Sequence, residues 1–211
     1  MRIGVIGSGM IGSTVGELWV KAGHEVKFSS RHPEKLKALA NRLGEKASAG
    51  TPKEAAAFGE VLLISVPYHA LPQLGHDLSA EIQGKTVLET GNLYPDRDGE
   101  VAERAIASGK GSGVYSAEYL AGARVVRAFN TIYYKVLASE AHRSGDRVAI
   151  PLAGDDAHAL ETASALVRDA GFEPVIVGPL SRAKDFDVGT PVYTKALTAR
   201  ELRSALGVAA A

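Results

Sequence analysis

Arg2-Ile3-Gly4-Val5-Ile6-Gly7-Ser8-Gly9-Met10-Ile11-Gly12 is a short apolar run that passes without interruption into G-x-G-x-x-G. In a βαβ unit, Gly7 permits the tight turn, Gly9 lets backbone approach a pyrophosphate, and Gly12 lets the following helix pack closely on the strand. The pyrophosphate then lies at a helix N-terminus, where unpaired amides and the helix dipole favour an anion. The glycines alone are a weak signal, so the next residues decide the reading. Ile11, Val15, Leu18, Trp19 and Ala22 recur at helical spacing, Gly23 suits a C-terminal stop, and Glu25-Val26-Lys27-Phe28 alternates as a strand does. The expected unit is strand, phosphate loop, helix, strand.

The second strand ends in Ser29-Ser30-Arg31-His32, about twenty residues past the first glycine, where an acidic side chain binds a ribose 2′-hydroxyl in NAD-specific folds. No carboxylate stands there. Two hydroxyls and a guanidinium favour a 2′-phosphate instead, and Pro33 followed by Lys35 places a second cation at the start of the next helix. NADP(H) is therefore the expected cofactor. From these two turns the candidate cofactor-binding residues are Gly7, Ser8, Gly9, Met10, Ile11, Gly12, Ser30, Arg31 and Lys35.

Composition narrows the partners. The 211 residues suit one α/β domain with a small appendage, and 24 Lys plus Arg balance 24 Asp plus Glu. No global field recruits nucleic acid or an anionic membrane. The absence of cysteine removes thiol nucleophiles, thiolate metal sites and disulfides, and suits a cytoplasmic location. The apolar start belongs to the first strand, not to a signal peptide. No stretch approaches the roughly eighteen apolar residues of a membrane span.

Strands are expected at Arg2–Ile6, Glu25–Ser29, Val61–Val66, Lys85–Glu89, Arg124–Phe129, Arg147–Ala153 and Glu173–Val177, and helices at Met10–Ala22, Glu34–Leu43, Pro52–Phe58 and Ala157–Ala170. Their alternation predicts a Rossmann-type α/β fold, doubly wound with a mostly parallel sheet. Residues 1–132 form the NADP-binding part, and residues 133–211 a smaller C-terminal β/α extension completing the sheet and an acceptor cleft. Gly91 to Gly113, polar and rich in glycine, reads as a surface excursion that either covers a site at the carboxyl edge of the sheet or is a solvated connection, and Ala209 to Ala211 as a frayed end.

In such sheets ligands bind beyond the carboxyl ends of the strands. Three further turns qualify: Ser65-Val66-Pro67-Tyr68-His69, Thr90-Gly91-Asn92 and Phe129-Asn130-Thr131. They add Ser65, Val66, Pro67, Asn92 and Asn130 to the candidate cofactor-binding residues. His69 has the intrinsic pKa of a proton donor, but a histidine inside a loop is more commonly solvated or a helix starter, so no catalytic residue is assigned. The histidines show no ligand spacing, and no metal site is expected. There is no G-x-S-x-G elbow and no P-loop lysine, which sets aside hydrolase and phosphoryl-transfer chemistry.

The glycine loop, Ser30-Arg31, Val66-Pro67, Gly122-Ala123-Arg124-Val125-Val126-Arg127-Ala128-Phe129-Asn130-Thr131, Ala153-Gly154-Asp155-Asp156 and Gly178-Pro179-Leu180-Ser181-Arg182-Ala183 together resemble the family of coenzyme F-420-dependent NADP oxidoreductases over essentially the whole chain. The fold is also similar to the cytoplasmic NADPH domain of six-transmembrane metalloreductases. The resemblance implies that Ser8, Ser30, Arg31 and Lys35 hold the NADP phosphates. A second redox ligand, coenzyme F-420 or a flavin, would lie across the nicotinamide near Val66-Pro67 and the C-terminal segment. Hydride passing between stacked heterocycles needs positioning and water exclusion, with no protein acid or base. Arg182, Lys184, Lys195 and Arg200 either attract an anionic tail of that ligand or form a solvated basic face. The expected partners are a small-molecule redox acceptor and a second copy of the chain in a homodimer. A non-catalytic NADPH-binding sensor and a hydroxy acid dehydrogenase remain as alternative readings.

Overall fold

The computed structural model describes residues 1–209; the reading of Ala210 and Ala211 as a frayed end lies outside them. Eight strands, β1 (Arg2–Ile6), β2 (Glu25–Ser29), β3 (Ala47–Gly50), β4 (Val61–Ile64), β5 (Thr86–Glu89), β6 (Arg124–Arg127), β7 (Ala149–Gly154) and β8 (Glu173–Gly178), form one sheet in the order β3-β2-β1-β4-β5-β6-β7-β8. Every neighbouring pair is parallel except β6 and β7. The order reverses at β1, between β2 and β4, which opens a crevice at the carboxyl edge.

Among the described residues nine helices flank the sheet: α1 (Met10–Lys21), α2 (Lys37–Leu43), α3 (Pro52–Phe58), α4 (Leu71–Asp77), α5 (Pro95–Ala107), α6 (Ser112–Tyr119), α7 (Tyr134–Glu140), α8 (Ala157–Asp169) and α9 (Ala199–Leu206), with 3-10 turns at Pro33–Leu36, Tyr68–Ala70 and Leu180–Phe186. They cover both faces. Val15, Trp19 and Leu166 pack on one face with Val5, Leu63 and Val126. Ala55, Leu71 and Leu120 pack on the other with Ile6, Leu62 and Val87. Alternating strand residues therefore reach opposite cores, as a parallel sheet buried on both sides requires. Trp19 joins α1 to α8, its indole N–H donating to the Leu166 carbonyl at 2.8 Å.

Several expectations need correction. The strand β3, Ala-Ser-Ala-Gly, is not anticipated, because small half-buried residues on a sheet edge carry no apolar alternation. β4 ends at Ile64 rather than Val66, and β6 at Arg127 rather than Phe129, where Phe129 turns to a left-handed φ of 59°. Gly91 to Gly113 lies largely at the surface, but it is not an irregular loop: it contains α5 and the start of α6. α5 is interrupted at Gly99 (φ 53°) and buries Asp98, Ala102 and Ala105, so its inner face is small and its pattern faint. A Cβ at Gly113 would lie 2.7 Å from the Ala183 Cβ. That glycine serves close packing of α6 on Leu180–Phe186, not flexibility.

Candidate functional site

The carboxyl ends of β1, β4, β5 and β6 meet at one cleft of about 390 Å³. On its near wall, Gly7 takes φ 92°, and a Cβ there would sit 2.3 Å from the Ser65 carbonyl oxygen. A Cβ at Gly12 would lie 2.1 Å from the Gly7 oxygen, whereas one at Gly9 would meet nothing within 4 Å. The first and third glycines thus pack loop, helix and β4 together, and the second faces open space. Gly9 caps α1 with no side-chain hydrogen bond and no acid in the first turn. The Ser8 hydroxyl is buried beside it without a partner. Ser13 and Thr14 are already satisfied by the Gly9 and Met10 carbonyls at 2.6 and 2.7 Å. An anion with several acceptor oxygens fits this loop: it supplies a partner for Ser8 and for the free helix amides.

At the end of β2, the Ser29 hydroxyl is spent on the Val5 carbonyl at 2.8 Å, while Ser30 Oγ accepts the His32 amide at 3.0 Å. Arg31 and Lys35 are exposed, and neither has an ion-pair partner among the described residues. Glu34, between them in sequence, faces His32 at 3.5 Å. Two unpaired cations and a hydroxyl therefore stand where a 2′-phosphate would lie, one strand over from the glycine loop.

The cleft brings together Gly9, Met10, Ile11, Ser65, Val66, Pro67, Asn92 and Asn130 of the predicted residues. Gly7, Ser8 and Gly12 lie behind its surface, and Ser30, Arg31 and Lys35 lie outside it beside β2. Arg182, Lys184, Lys195 and Arg200 do not line it.

Its far wall was not anticipated from sequence: Tyr94, Arg97, Tyr133, Tyr134, Tyr193 and Thr194. Tyr94 and Tyr193 are hydrogen-bonded through their hydroxyls, although 99 residues separate them. The Asn92 amide group donates to the Asn130 carbonyl at 2.9 Å and to Tyr193 Oη at 3.4 Å. Thr194, with a left-handed φ of 58°, donates its amide to the Thr131 carbonyl at 2.8 Å. Burial, then the bond with Tyr94, pushes the Tyr193 hydroxyl well above the usual phenol range.

Beneath the wall lies a buried polar network. Glu89 and Arg127, both fully buried at the ends of β5 and β6, form an ion pair. Glu89 also accepts the Gly91 amide and the Ser116 hydroxyl, the latter at 2.8 Å. Arg127 reaches Asp187 at 3.4 Å, and Asp187 accepts the Ser112 amide at 3.0 Å. This network fixes the Thr90-Gly91-Asn92 turn against the segment that carries Tyr193. Removing either member of the Glu89–Arg127 pair would strand a buried charge, at about 3–5 kcal/mol.

His69 sits outside the cleft lining, its ring half exposed and its Nδ1 2.9 Å from Asp98 Oδ1. Asp98 is buried and also accepts from Arg97 Nε and Nη2 at 3.0 and 2.8 Å, the Tyr94 amide at 3.0 Å and the His69 amide at 3.2 Å. Burial pushes its carboxyl up, but these bonds together bring it down to about 2. Among the described residues no cluster of three metal-ligating side chains occurs, and no helix is long and apolar enough to cross a membrane.

The chain is 27% identical over 189 residues to the metalloreductase STEAP3 of Rattus norvegicus, covering 88% of this chain and 36% of that protein. It thus spans about a third of the length of that curated relative. A hypothetical protein from Sinorhizobium meliloti has a similar structure, with TM-score 0.81, 26% identity and coverage of 94% and 95% of the two chains. A protein from Arthrobacter sp. FB24 assigned as an F420-dependent NADP reductase shares the fold, with TM-score 0.68, 20% identity and coverage of 99% and 96%. Residues 2–93, which hold the glycine loop, the Ser30-Arg31 turn and the first five strands, match the family described as NADP oxidoreductase coenzyme F420-dependent.

Proposed function

We propose that the protein transfers a hydride between NADP(H) and a flavin or deazaflavin acceptor bound against the tyrosine wall. One observation carries the reading: a single cleft runs from the glycine loop to that wall, and its lining contains no carboxylate, histidine or lysine among the described residues. Such a cleft suits a reaction in which two rings are held face to face and no side chain takes or gives a proton in the transfer step.

The chain's own residues divide the work. The amides at the start of α1 and the Ser8 hydroxyl hold the pyrophosphate, while Ser30, Arg31 and Lys35 hold the 2′-phosphate. Ile11, Val66 and Pro67 give the near side of the cleft an apolar surface, and Asn92 and Asn130 fix its floor through the bond between them. NADPH supplies the hydride when bound. The acceptor is a small molecule entering from the side of Tyr133, Tyr134 and Tyr193. We also propose that the working form is a homodimer.

Anaerobic NADPH oxidation with coenzyme F-420, FMN, FAD, riboflavin and a ferric chelate tests the reading. Turnover is expected with at least one ring acceptor, and with NADPH far better than with NADH. Tight NADPH binding with no turnover on any acceptor would overturn it in favour of an NADPH-binding sensor.

A further inference from the structure

Among the described residues, Arg97 is the only cationic side chain lining the cleft, and it is held by an unusually complete set of contacts for a surface arginine. Nε and Nη2 bind the two oxygens of Asp98 at 3.0 and 2.8 Å, and Nη2 also donates to the Asn92 carbonyl at 2.8 Å. The guanidinium carbon lies 4.8 Å from the centre of the Tyr94 ring. Nη1 has no hydrogen-bond partner among the described residues. Asp98 is itself immobilised by two backbone amides and the His69 ring. Its carboxylate is fully buried and lies outside the cleft lining, whereas the Arg97 side chain keeps 42% exposure and lines the cleft. Beside it, one of the Tyr94 and Tyr193 hydroxyls donates to the other, which keeps its own O–H as a donor.

A structural ion pair alone would not need both ends ordered in this way at the rim of a redox cleft. When a hydride, one proton with two electrons, leaves C4 of NADPH, the coenzyme becomes NADP⁺ and the acceptor ring gains the hydride together with one negative charge. In a conjugated ring that charge collects on a carbonyl oxygen until solvent protonates the ring. Donors fixed in advance where charge develops stabilise the transition state without reorganising.

We propose that Arg97, held by Asp98 and assisted by the Tyr94–Tyr193 hydroxyl pair, is the charge-stabilising residue of the acceptor site, and that the acceptor is a planar ring whose conjugated carbonyl becomes anionic on two-electron reduction. This rests on the hydride-transfer reading above. It selects flavin-like and deazaflavin-like rings over ferric chelates, which take one electron and offer no such oxygen.

The test is anaerobic binding to protein loaded with tetrahydro-NADP, a coenzyme analogue that neither gives nor takes a hydride. Oxidised and chemically reduced riboflavin, and oxidised and reduced coenzyme F-420, are each titrated at a pH where the reduced ring is anionic, against wild type, Arg97→Lys and Arg97→Met. One charge-assisted hydrogen bond predicts that wild type binds the reduced form about tenfold or more tightly than the oxidised form. Arg97→Met should bring that ratio close to one with NADPH affinity little changed, while lowering the thermal midpoint because the buried Asp98 carboxylate loses its cation, and Arg97→Lys should keep part of the preference. A ratio unchanged in Arg97→Met overturns the proposal, as does failure of wild type to bind either ring in either form. If the Arg97-dependent preference is found but NADPH oxidation is absent with every acceptor, the hydride-transfer reading fails while the assignment of Arg97 stands.

Discussion

Replacing Gly9 and Gly12 separately by alanine should split stability from cofactor binding. At Gly12 the new Cβ would be placed 2.1 Å from the Gly7 carbonyl oxygen and 3.3 Å from Ser65 Cβ. Gly7 cannot retreat, because its own φ is 92° and the Ser65 oxygen closes it from the other side. The first turn of α1 must therefore lift by about 1 Å, an overpacking strain of about 1–3 kcal/mol. For a chain of this size that lowers the thermal midpoint by about 3–10 °C. The same lift moves the amides proposed to hold the pyrophosphate. Losing one charge-assisted contact, about 1.5–3 kcal/mol, weakens NADPH roughly tenfold to a hundredfold. At Gly9 the backbone is ordinary (φ −74°), and a Cβ meets no protein atom within 4 Å. Gly9→Ala should thus melt within about 2 °C of wild type. Its methyl group would project toward the space reserved for the pyrophosphate, and NADPH affinity should fall by about tenfold or more. Calorimetric titration with NADPH and thermal unfolding without ligand read the two quantities separately. Wild-type NADPH affinity in Gly9→Ala, or equal destabilisation by both variants, would refute the assignment of glycine roles.

Arg31→Ala should cost about 1.5–3 kcal/mol in NADPH binding, measured by titration, with NADH little affected, because it removes one charge-assisted contact to the 2′-phosphate. Equal losses for both coenzymes would sink that placement. His69→Ala should change the steady-state rate less than about tenfold, since the ring points at Asp98 from outside the cleft; a fall beyond about a hundredfold would reveal an acid catalyst. The depressed pKa of Asp98 also makes a stability prediction. Its folded value, about 2, lies below that of an unfolded aspartate, so its contribution is full above about pH 4 and is lost as pH falls toward 2. The loss is about 2 kcal/mol, visible as a shift of the urea midpoint, and Asp98→Asn should remove most of that segment of the acid dependence.

The near half of the site was legible because it is local. Gly7 to Gly12 sit on consecutive residues after a strand, and Ser30-Arg31 follows the next strand at a fixed distance, so one βαβ unit carries the signal. Asn92 and Asn130 were found by the same rule, as residues just past apolar runs. The far half is non-local. Tyr94 meets Tyr193 across 99 residues, and Tyr193 belongs to no strand end, so neither periodicity nor spacing marks it. Arg97 was hidden differently: Asp96-Arg97-Asp98-Gly99 reads as a solvated turn, and only the fold shows that Asp98 is buried and turns the arginine into a fixed group. A carboxylate between an arginine and a glycine, just after Tyr-Pro, was the one trace of this in the sequence.

The most direct measurement is a single anaerobic turnover with NADPH carrying deuterium at the transferred C4 position, mixed with the protein and coenzyme F-420 or riboflavin. The account predicts that one ring is reduced for each NADPH oxidised and that deuterium slows the step. Saturated NADPH binding without reduction of either ring, or reduction at a rate indifferent to the label when chemistry is observed directly, would contradict it.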